Sequence, residues 1–390
     1  MNLHEFQAKK LLKSYGVPVP LGIAVSTSED AANATISLGG NAWVVKAQVH
    51  AGGRGRAGGV KIVKSSLAAS KTAGNLIGSW LITAQTGAKG KEVKQVYIEQ
   101  SCNIEREIYL AVLIDRSIGR VAFYASSQGG ENIEEIILAK PEKINKLYID
   151  PKAGLIEKDI LALIKGLGLS DNQENSAQSI IESLYKAFIE NDASLIEINP
   201  LAITDKNNLI ALDVKMTIDD NALYRQSELE KLWDEAEAST DEIEARLHEL
   251  NYVQMDGNIG VMVSGAGLAL GILDLIKARG GEAADFMDVR PVASREQIAA
   301  GIRMLLADTK IKSLLVVAMG GGILRCDTIA EGIAIACKET PNHIPLIVRF
   351  AGTAKELGEL ALKNQAINFT FFDDLEDAAK RAVAAASEKR

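Results

Sequence analysis

Lys46 closes a strand-like apolar run, Ala42–Ala47. The chain then enters Gly52-Gly53-Arg54-Gly55-Arg56-Ala57-Gly58-Gly59 before a second apolar run resumes at Val60. Five glycines and two arginines in eight residues make a turn that is both adaptable and strongly electropositive. Such a loop can wrap a polyphosphate, with backbone N–H groups as donors and guanidinium groups as charge clamps. It is not a P-loop, because the G-x-x-x-x-G-K-S/T order is absent. The plainer alternative, a mobile surface turn, leaves Lys46, Arg54 and Arg56 unexplained.

A second constellation lies in Leu195-Ile196-Glu197-Ile198-Asn199-Pro200. Strand alternation puts Leu195, Glu197 and Asn199 on one face. A polar turn at Asp205-Lys206-Asn207-Asn208 joins this run, Leu195–Thr204, to a returning one, Leu209–Val214. Asp213 then falls opposite or next to Asn199. An amide oxygen beside a carboxylate suits Mg²⁺, a hard ion that takes one or two protein oxygens and fills its shell with water and phosphate. The alternative is a polar face turned to water, although polar groups amid Leu, Ile and Pro cost free energy unless paired or used.

The elements that carry these residues follow from periodicity. An amphipathic helix opens the chain, with Leu3, Phe6, Leu11, Leu12 and Tyr15 as its apolar stripe, and stops at Gly16 ahead of Pro18 and Pro20. Strands are expected at Val60–Val63, Val96–Ile98, Ile108–Ile114 and Val121–Ala125, and helices at Leu155–Leu167 and Ala177–Asn191. A charged stretch, Glu228–Glu249, reads as a helical linker or solvated helix between two halves. Beyond it, strands at Ile259–Val263, Ala284–Val289, Ile311–Met319, Ile344–Phe350 and Ile367–Phe372 alternate with helices beginning near Leu268, Arg295, Ile323, Thr353 and Leu375. Five βα units in a row imply a flavodoxin-like parallel sheet with helices on both faces. Right-handed crossovers gather the turns at one carboxyl edge. Three of them are rich in small residues: Ser264-Gly265-Ala266-Gly267, Gly320-Gly321-Gly322 and Ala351-Gly352-Thr353. Turns of this kind let an anion approach the N–H groups of a helix terminus, unless they are merely short loops that favour glycine.

With 390 residues, 47% hydrophobic and 24% charged, the chain is long enough for two or three globular domains. A net charge of −8 argues against nucleic acid as a partner, while leaving room for a local anion site. No apolar run approaches the roughly 20 residues a bilayer span needs, so no membrane role is expected. Cys102, Cys326 and Cys337 have neither metal-ligand spacing nor the number to staple a chain of this length. Cytoplasm is the plain reading; a matrix after loss of a presequence is the alternative.

Taken together these segments resemble the ATP-grasp fold of the succinate–CoA ligase β-subunit family. The resemblance runs through Asn2-Leu3-His4-Glu5-Phe6-Gln7-Ala8-Lys9, Val45–Gly59, Leu195–Pro200, Ala211-Leu212-Asp213 and Asn221-Ala222-Leu223-Tyr224-Arg225. It continues through Asp256-Gly257-Asn258-Ile259-Gly260 and Gly321-Gly322-Ile323-Leu324-Arg325-Cys326-Asp327. It implies an amino-terminal ATP-grasp domain over 1–235, a linker over 236–256 and a flavodoxin-like CoA-ligase domain over 257–390. By the same resemblance Lys46, Gly53, Arg54 and Gly55 would bind ATP phosphates, and Glu99, Cys102 and Glu107 would line the adenine and ribose side. Asn199 and Asp213 would hold Mg²⁺. Glu197 would meet a phosphohistidine brought by an α subunit that also carries the CoA site, in an αβ dimer or a dimer of such dimers. Gly322, Ile323 and Leu324, at a helix start, would help bind substrate, and Pro20 resembles members that use ATP. Phosphoryl would pass from ATP to the α-subunit histidine and then to a carboxylate, where CoA displaces it. His4, His50, His248 and His343 lie outside the family's phosphohistidine motif, so the carrier must come from the partner.

The match breaks near the expected acid pocket. Arg290-Pro291-Val292 stands where the family has three glycines, Ser264 where it has a substrate-contacting asparagine, and Gly352-Thr353-Ala354 where its loop ends in asparagine. One extra residue, most simply Gly320, precedes Gly321. Arg290 could grip a further carboxylate bidentately, or face solvent beside a loop stiffened by Pro291. The expected activity is therefore ligation of succinate to CoA, with malate or another substituted dicarboxylate as the alternative acid. A nucleotide-binding regulator without turnover is a third reading, against which Lys46, Glu197, Asn199 and Asp213 speak.

Overall fold

Short side chains ahead of the helices close their free N–H groups and set where they begin. The Thr27 hydroxyl accepts from the Asp30 N–H at 3.1 Å and Ser65 from that of Ala68 at 3.1 Å. Ser294 and Gln297 form a reciprocal capping box. The computed structural model describes residues 1–130, 133, 138–340 and 344–388, which leaves His343 outside the described residues. The chain divides into two units, Met1–Glu237 and Ala238–Arg390. Among the described residues no helix is long and apolar enough to cross a membrane.

The first unit begins with β1 (Asn2–Leu3), α1 (Glu5–Ser14), β2 (Gly22–Val25), α2 (Ser28–Leu38), β3 (Trp43–Ala47), β4 (Val60–Val63) and α3 (Ser66–Leu76). Two short strands follow, β5 (Trp80–Leu81) and β6 (Lys91–Glu92), and then β7 (Val96–Gln100), β8 (Ile104–Asp115), β9 (Arg120–Ser126) and β10 (Asn145–Ile149). The unit finishes with α4 (Glu157–Lys165), α5 (Asp171–Glu190), β11 (Ala193–Thr204), β12 (Leu209–Ala211), β13 (Val214–Ile218) and α6 (Ser227–Glu230). Among the described residues these strands form an antiparallel sheet β2-β7-β3-β4, packed against α2 and α3, and a larger one, β1-β13-β11-β8-β9-β10, with β12 beside β11. Helices α1, α4 and α5 cover one face of the larger sheet. Ile196 and Ile198 on β11 are fully buried in that core, so Leu195, Glu197 and Asn199 face the other way, as alternation requires. The returning run is broken into β12 and β13 at Leu212 and Asp213, which still pair with β11 through the Leu212 N–H and the Asp213 carbonyl.

The second unit contains α7 (Thr240–Leu247), β14 (Asn251–Gln254), β15 (Ile259–Val263), α8 (Ala266–Ala278), β16 (Ala283–Asp288) and α9 (Arg295–Ala307). It continues with β17 (Ser313–Gly320), α10 (Cys326–Glu339), β18 (Leu346–Gly352), α11 (Lys355–Asn364), β19 (Thr370–Phe371) and α12 (Leu375–Ser387). The sheet order is β14-β16-β15-β17-β18-β19; the last five strands are parallel in flavodoxin-like order, and β14 runs antiparallel beside β16. Separate cores lie on the two faces, one with α9, α10 and α11 and one with α8 and α12. The stretch read as a linker over 236–256 thus folds largely within this unit, with Ala245 and Leu250 in its core.

Two tests follow. Phe123, fully buried in the first unit's core, cannot be truncated without leaving a cavity; Phe123→Ala should cost about 3–5 kcal/mol in denaturant unfolding. In the second unit Asp285 is 1% exposed. Burial, and then the proton it shares with Asp308, pushes its carboxyl up from 3.8 to about 6, against the opposing pull of Lys310 at 3.9 Å. A raised folded pKa means stability that is full below the unfolded value and lost as pH climbs through the folded one. Stability should therefore fall between pH 3.8 and about 6, and Asp285→Asn should remove that slope from melts taken across the window.

Candidate functional site

The basic residues that the glycine-rich segment brings to notice do not wave in solvent. Lys46, next to last on β3, is almost wholly buried, and its ammonium has three acceptors: Glu5 Oε1 at 2.8 Å, Glu99 Oε1 at 2.9 Å and the Leu212 carbonyl at 2.5 Å. Lys9, one turn beyond Glu5 on α1, reaches Glu5 Oε1 at 2.8 Å, the Leu212 carbonyl at 2.6 Å and the Glu99 carboxylate. Arg54 turns inward from the glycine-rich turn. Its guanidinium donates to Glu5 Oε2 at 2.8 Å, Asp213 Oδ1 at 2.7 Å and the Ala47 carbonyl at 2.9 Å. Three cations meet three carboxylates, and only Asp213 is substantially exposed, at 44% of its side chain.

Burial by itself would raise the Glu5 carboxyl. The ammonium of Lys46, then Lys9 and Arg54, override that effect and hold it well below the usual carboxylate range. Burial would equally lower Lys46, yet Glu5, Glu99 and Asp213 hold it above the ordinary lysine value. Both groups therefore stay charged. The turn is folded on itself: Gly59 donates to the Arg54 carbonyl at 2.8 Å and Gly52 to Gln85 Oε1 at 2.7 Å. Gly53, at φ +74°, supplies the left-handed step that lets Arg54 point inward, while Gly55 and Arg56 are exposed on the rim.

A second set lies on the face of the larger sheet away from α1 and α5. Glu197 pairs between Ala111 on β8 and Lys215 on β13. It stands near the Tyr109 hydroxyl, which burial and then the Glu197 charge make harder to ionise. Asn199 is opposite Asp213, its N–H donating to the Asp213 carbonyl at 3.0 Å. Its side-chain amide clasps the Gly130 backbone, accepting at 2.7 Å and donating at 3.2 Å. Glu107 on β8 lies against the same glycine, where a Cβ would sit 2.2 Å from Glu107 Oε2. Asn199 Oδ1 and the half-exposed Asp213 carboxylate fit Mg²⁺, because they are hard oxygens that leave most of the shell to water and phosphate. Among the described residues no group of three or more His, Cys, Asp or Glu is arranged to hold an ion unaided.

Of the residues expected on the adenine side, Glu99 lies on β7, Cys102 between β7 and β8, and Glu107 on β8. Glu99 turns to the two lysines on the buried side of β7, whereas Glu107 faces Gly130. Cys102, half-buried between β7 and β8, has its thiol pushed up by burial and then by Glu99. Two members of the cluster, Glu5 and Lys9, escape the sequence reading because the stripe Leu3, Phe6, Leu11, Leu12, Tyr15 is rotated from the face that α1 buries. The residues it buries are Glu5, Ala8, Lys9 and Leu12, at i, i+3, i+4 and i+7. An i,i+4 Glu–Lys pair on the same face as Ala8 and Leu12 was the available signal.

In the second unit four turns gather at the carboxyl ends of neighbouring strands. Ser264 Oγ accepts from the Met319 N–H at 3.1 Å, and Asp288 Oδ1 accepts from Gly265 at 2.6 Å. Thr353 donates to the Gly320 carbonyl at 3.0 Å, and Cys326 donates to that of Thr353 at 3.1 Å. Gly321 and Gly322 face open space. Helix α10 begins at Cys326 rather than at Ile323, so Gly322, exposed Ile323 and buried Leu324 form a turn ahead of it, closed by Gly321 donating to the Leu324 carbonyl at 2.9 Å. Arg290 is ion-paired with Glu249 and remains partly exposed. Ala354 holds φ +62°, a left-handed conformation in which asparagine or glycine is more comfortable.

Comparison with known proteins agrees with the two-unit fold. The model of the ATP-grasp domain family matches residues 2–203 and that of the CoA-ligase family residues 262–387. The succinate–CoA ligase (ADP-forming) subunit beta of Parvibaculum lavamentivorans is 46% identical over 388 residues, covering 100% of both chains. That of Thioalkalivibrio sulfidiphilus is 47% identical, covering 98% of this chain and 99% of its own. Among solved structures, ATP citrate lyase from Methanothrix soehngenii superposes with a TM-score of 0.77 at 17% identity over 98% of this chain and 99% of its own, a likeness of fold. An ATP-grasp unit followed by a parallel-sheet CoA-ligase unit, matched from end to end by such relatives, makes this chain a member of the family of succinate–CoA ligase (ADP-forming) β subunits.

Proposed function

We propose that this chain binds ATP through Lys46, Arg54 and the backbone of Gly53 and Gly55, and passes its γ-phosphoryl group to a histidine of an α subunit that also binds CoA. The acid activated is succinate: acid, CoA and ATP give acyl-CoA, ADP and phosphate, reversibly. The observation that carries the reading is the meeting of Lys46 and Arg54 with Asp213 beneath the glycine-rich turn. A phosphoryl transfer asks the protein chiefly for positioning and charge neutralisation, and this cluster offers both. Bound Mg²⁺ would neutralise phosphate charge beside Asn199 and Asp213. Glu197, partly exposed on the same face, would orient the incoming histidine. A carrier from outside agrees with the state of His4 and His50. His4 is 2% exposed with Nε2 2.7 Å from Asp234, and burial, followed by His4, lowers His50 to about 4.

A substituted dicarboxylate such as malate is the second reading. It is favoured by the turns at the sheet's carboxyl edge, where the Ser264 hydroxyl is engaged by Met319 and a guanidinium, Arg290, stands beside Glu249. The partly exposed ion pair could be opened by a competing carboxylate of the substrate.

Assembled with an α-like subunit from an adjacent gene, the chain should form ADP in a CoA- and acid-dependent manner. Over a panel of succinate, malate, itaconate, citrate and glutarate, turnover led by succinate is expected. A lead by malate would move the assignment to the second reading, and ATP binding without turnover on any acid would leave a regulatory subunit. Asp213→Asn should raise the Mg²⁺ concentration for half-maximal activity by about tenfold or more, read from a metal titration at saturating ATP; an unchanged requirement would remove Asp213 from the metal site.

A further inference from the structure

Lys9 and Lys46 present the same chemistry to the same three acceptors. Each ammonium lies against Glu5 Oε1, the Glu99 carboxylate and the Leu212 carbonyl. An ammonium has three donors and no more. Lys46 therefore has none left for a phosphate while it keeps this set, and must release an acceptor to bind one. Releasing a buried carboxylate is costly unless another cation already holds it. Glu5 and Glu99 are 1–2% exposed in their side chains and have no water to turn to. Arg54 cannot take over all three acceptors, because it reaches Glu5 through Oε2 and is otherwise engaged by Asp213 and Ala47. Lys9 can. Its side chain is 1% exposed, so it has no route to the nucleotide itself.

We infer that Lys9 is a positioning residue for nucleotide binding: it is a buried substitute cation that keeps Glu5, Glu99 and the Leu212 carbonyl satisfied when Lys46 turns to phosphate. The inference rests on the reading of Lys46 as a phosphate ligand. It assigns Lys9 a part in affinity although it never meets ATP. Glu5 is a shared tether, holding Lys46 through Oε1 and Arg54 through Oε2.

Calorimetric titration of the full-length chain with ATP and Mg²⁺ tests this. Lys9→Met should weaken ATP binding by at least about tenfold, because every bond that Lys46 gives to phosphate would then strip a buried carboxylate. Glu5→Gln loosens the hold on Lys46 and on Arg54 together, so it serves as the reference for a double variant and not as a neutral control. A purely structural Lys9 would lower the melting temperature and leave the dissociation constant where it was, which would overturn the inference. Should Lys9→Met not fold, Lys9→Met/Glu5→Gln keeps the cluster balanced at two cations and two carboxylates; it should bind ATP at least about tenfold more weakly than Glu5→Gln. Equal affinity in that pair would also overturn it. Lys46→Met separates the two layers. If it binds ATP like wild type, the phosphate reading falls and the inference with it. If it loses binding while Lys9→Met does not, only the inference falls. In the assembled enzyme the KM values for acid and CoA should not move in Lys9→Met, whereas that for ATP should rise.

Discussion

Removing a carboxylate from water costs several kcal/mol after all relaxation, and the first unit is arranged around one that cannot escape. Glu5 lies at the first turn of a helix with Lys9, Lys46 and Arg54 closing on it from α1, β3 and the glycine-rich turn. Glu99 on β7 and Asp213 between β12 and β13 complete the balance. The network therefore ties together four stretches far apart in sequence: α1, β3 with the turn that follows it, β7, and Leu212–Asp213. Glu5 and Lys46 stay charged because the field of their partners outweighs their own desolvation. The glycine-rich turn inherits its shape from this: with Arg54 anchored inward, the turn is held at its root, and the exposed backbone around Gly53 and Gly55 is displayed at a fixed place.

The second unit is built differently at its carboxyl edge. Its turns carry few charges. They rely on backbone groups at the carboxyl ends of parallel strands, fixed by bonds from one turn to the next, such as Thr353 to Gly320 and Gly265 to Asp288. A site of this type depends on backbone conformation. The left-handed Ala354 and the glycines that meet open space at 321 and 322 are therefore more telling there than any ionisable group.

The regular part of the molecule could be read directly from the chain. Ile259–Val263, buried at every residue, and Val60–Val63 have the bounds that their apolar runs predict, because a strand bounded by turn residues has few alternatives. Helices α9 and α12 begin at the expected Arg295 and Leu375, behind capping side chains that fix the first turn. What escaped was set by tertiary context. Helices α2 and α3 are rich in Ala, Ser and Thr, so their apolar faces are faint. β14 is polar, and Asn251–Gln254 becomes a strand only because β16 offers it partners. In the site, Lys46, Arg54, Asn199 and Asp213 stood out because charged or amide groups interrupt apolar runs. Glu5 and Lys9 did not, since an i,i+4 Glu–Lys pair is ordinarily a solvated ornament of a helix surface. Only the fold shows that this face is interior.

The polar strand β14 has a practical consequence. It gives β16 its second neighbour, so that the N–H and C=O groups along one side of Ala283–Asp288 are paired rather than open. A fragment begun at residue 257, where the parallel βα pattern starts, would lack β14 along with Ala245 and Leu250. It would expose a strand able to pair with a second copy of itself, the usual route by which sheet proteins self-associate. A fragment begun at 238 would keep that strand covered. The segment that looks most like spare tether between the halves thus supplies a strand and core residues to the second half.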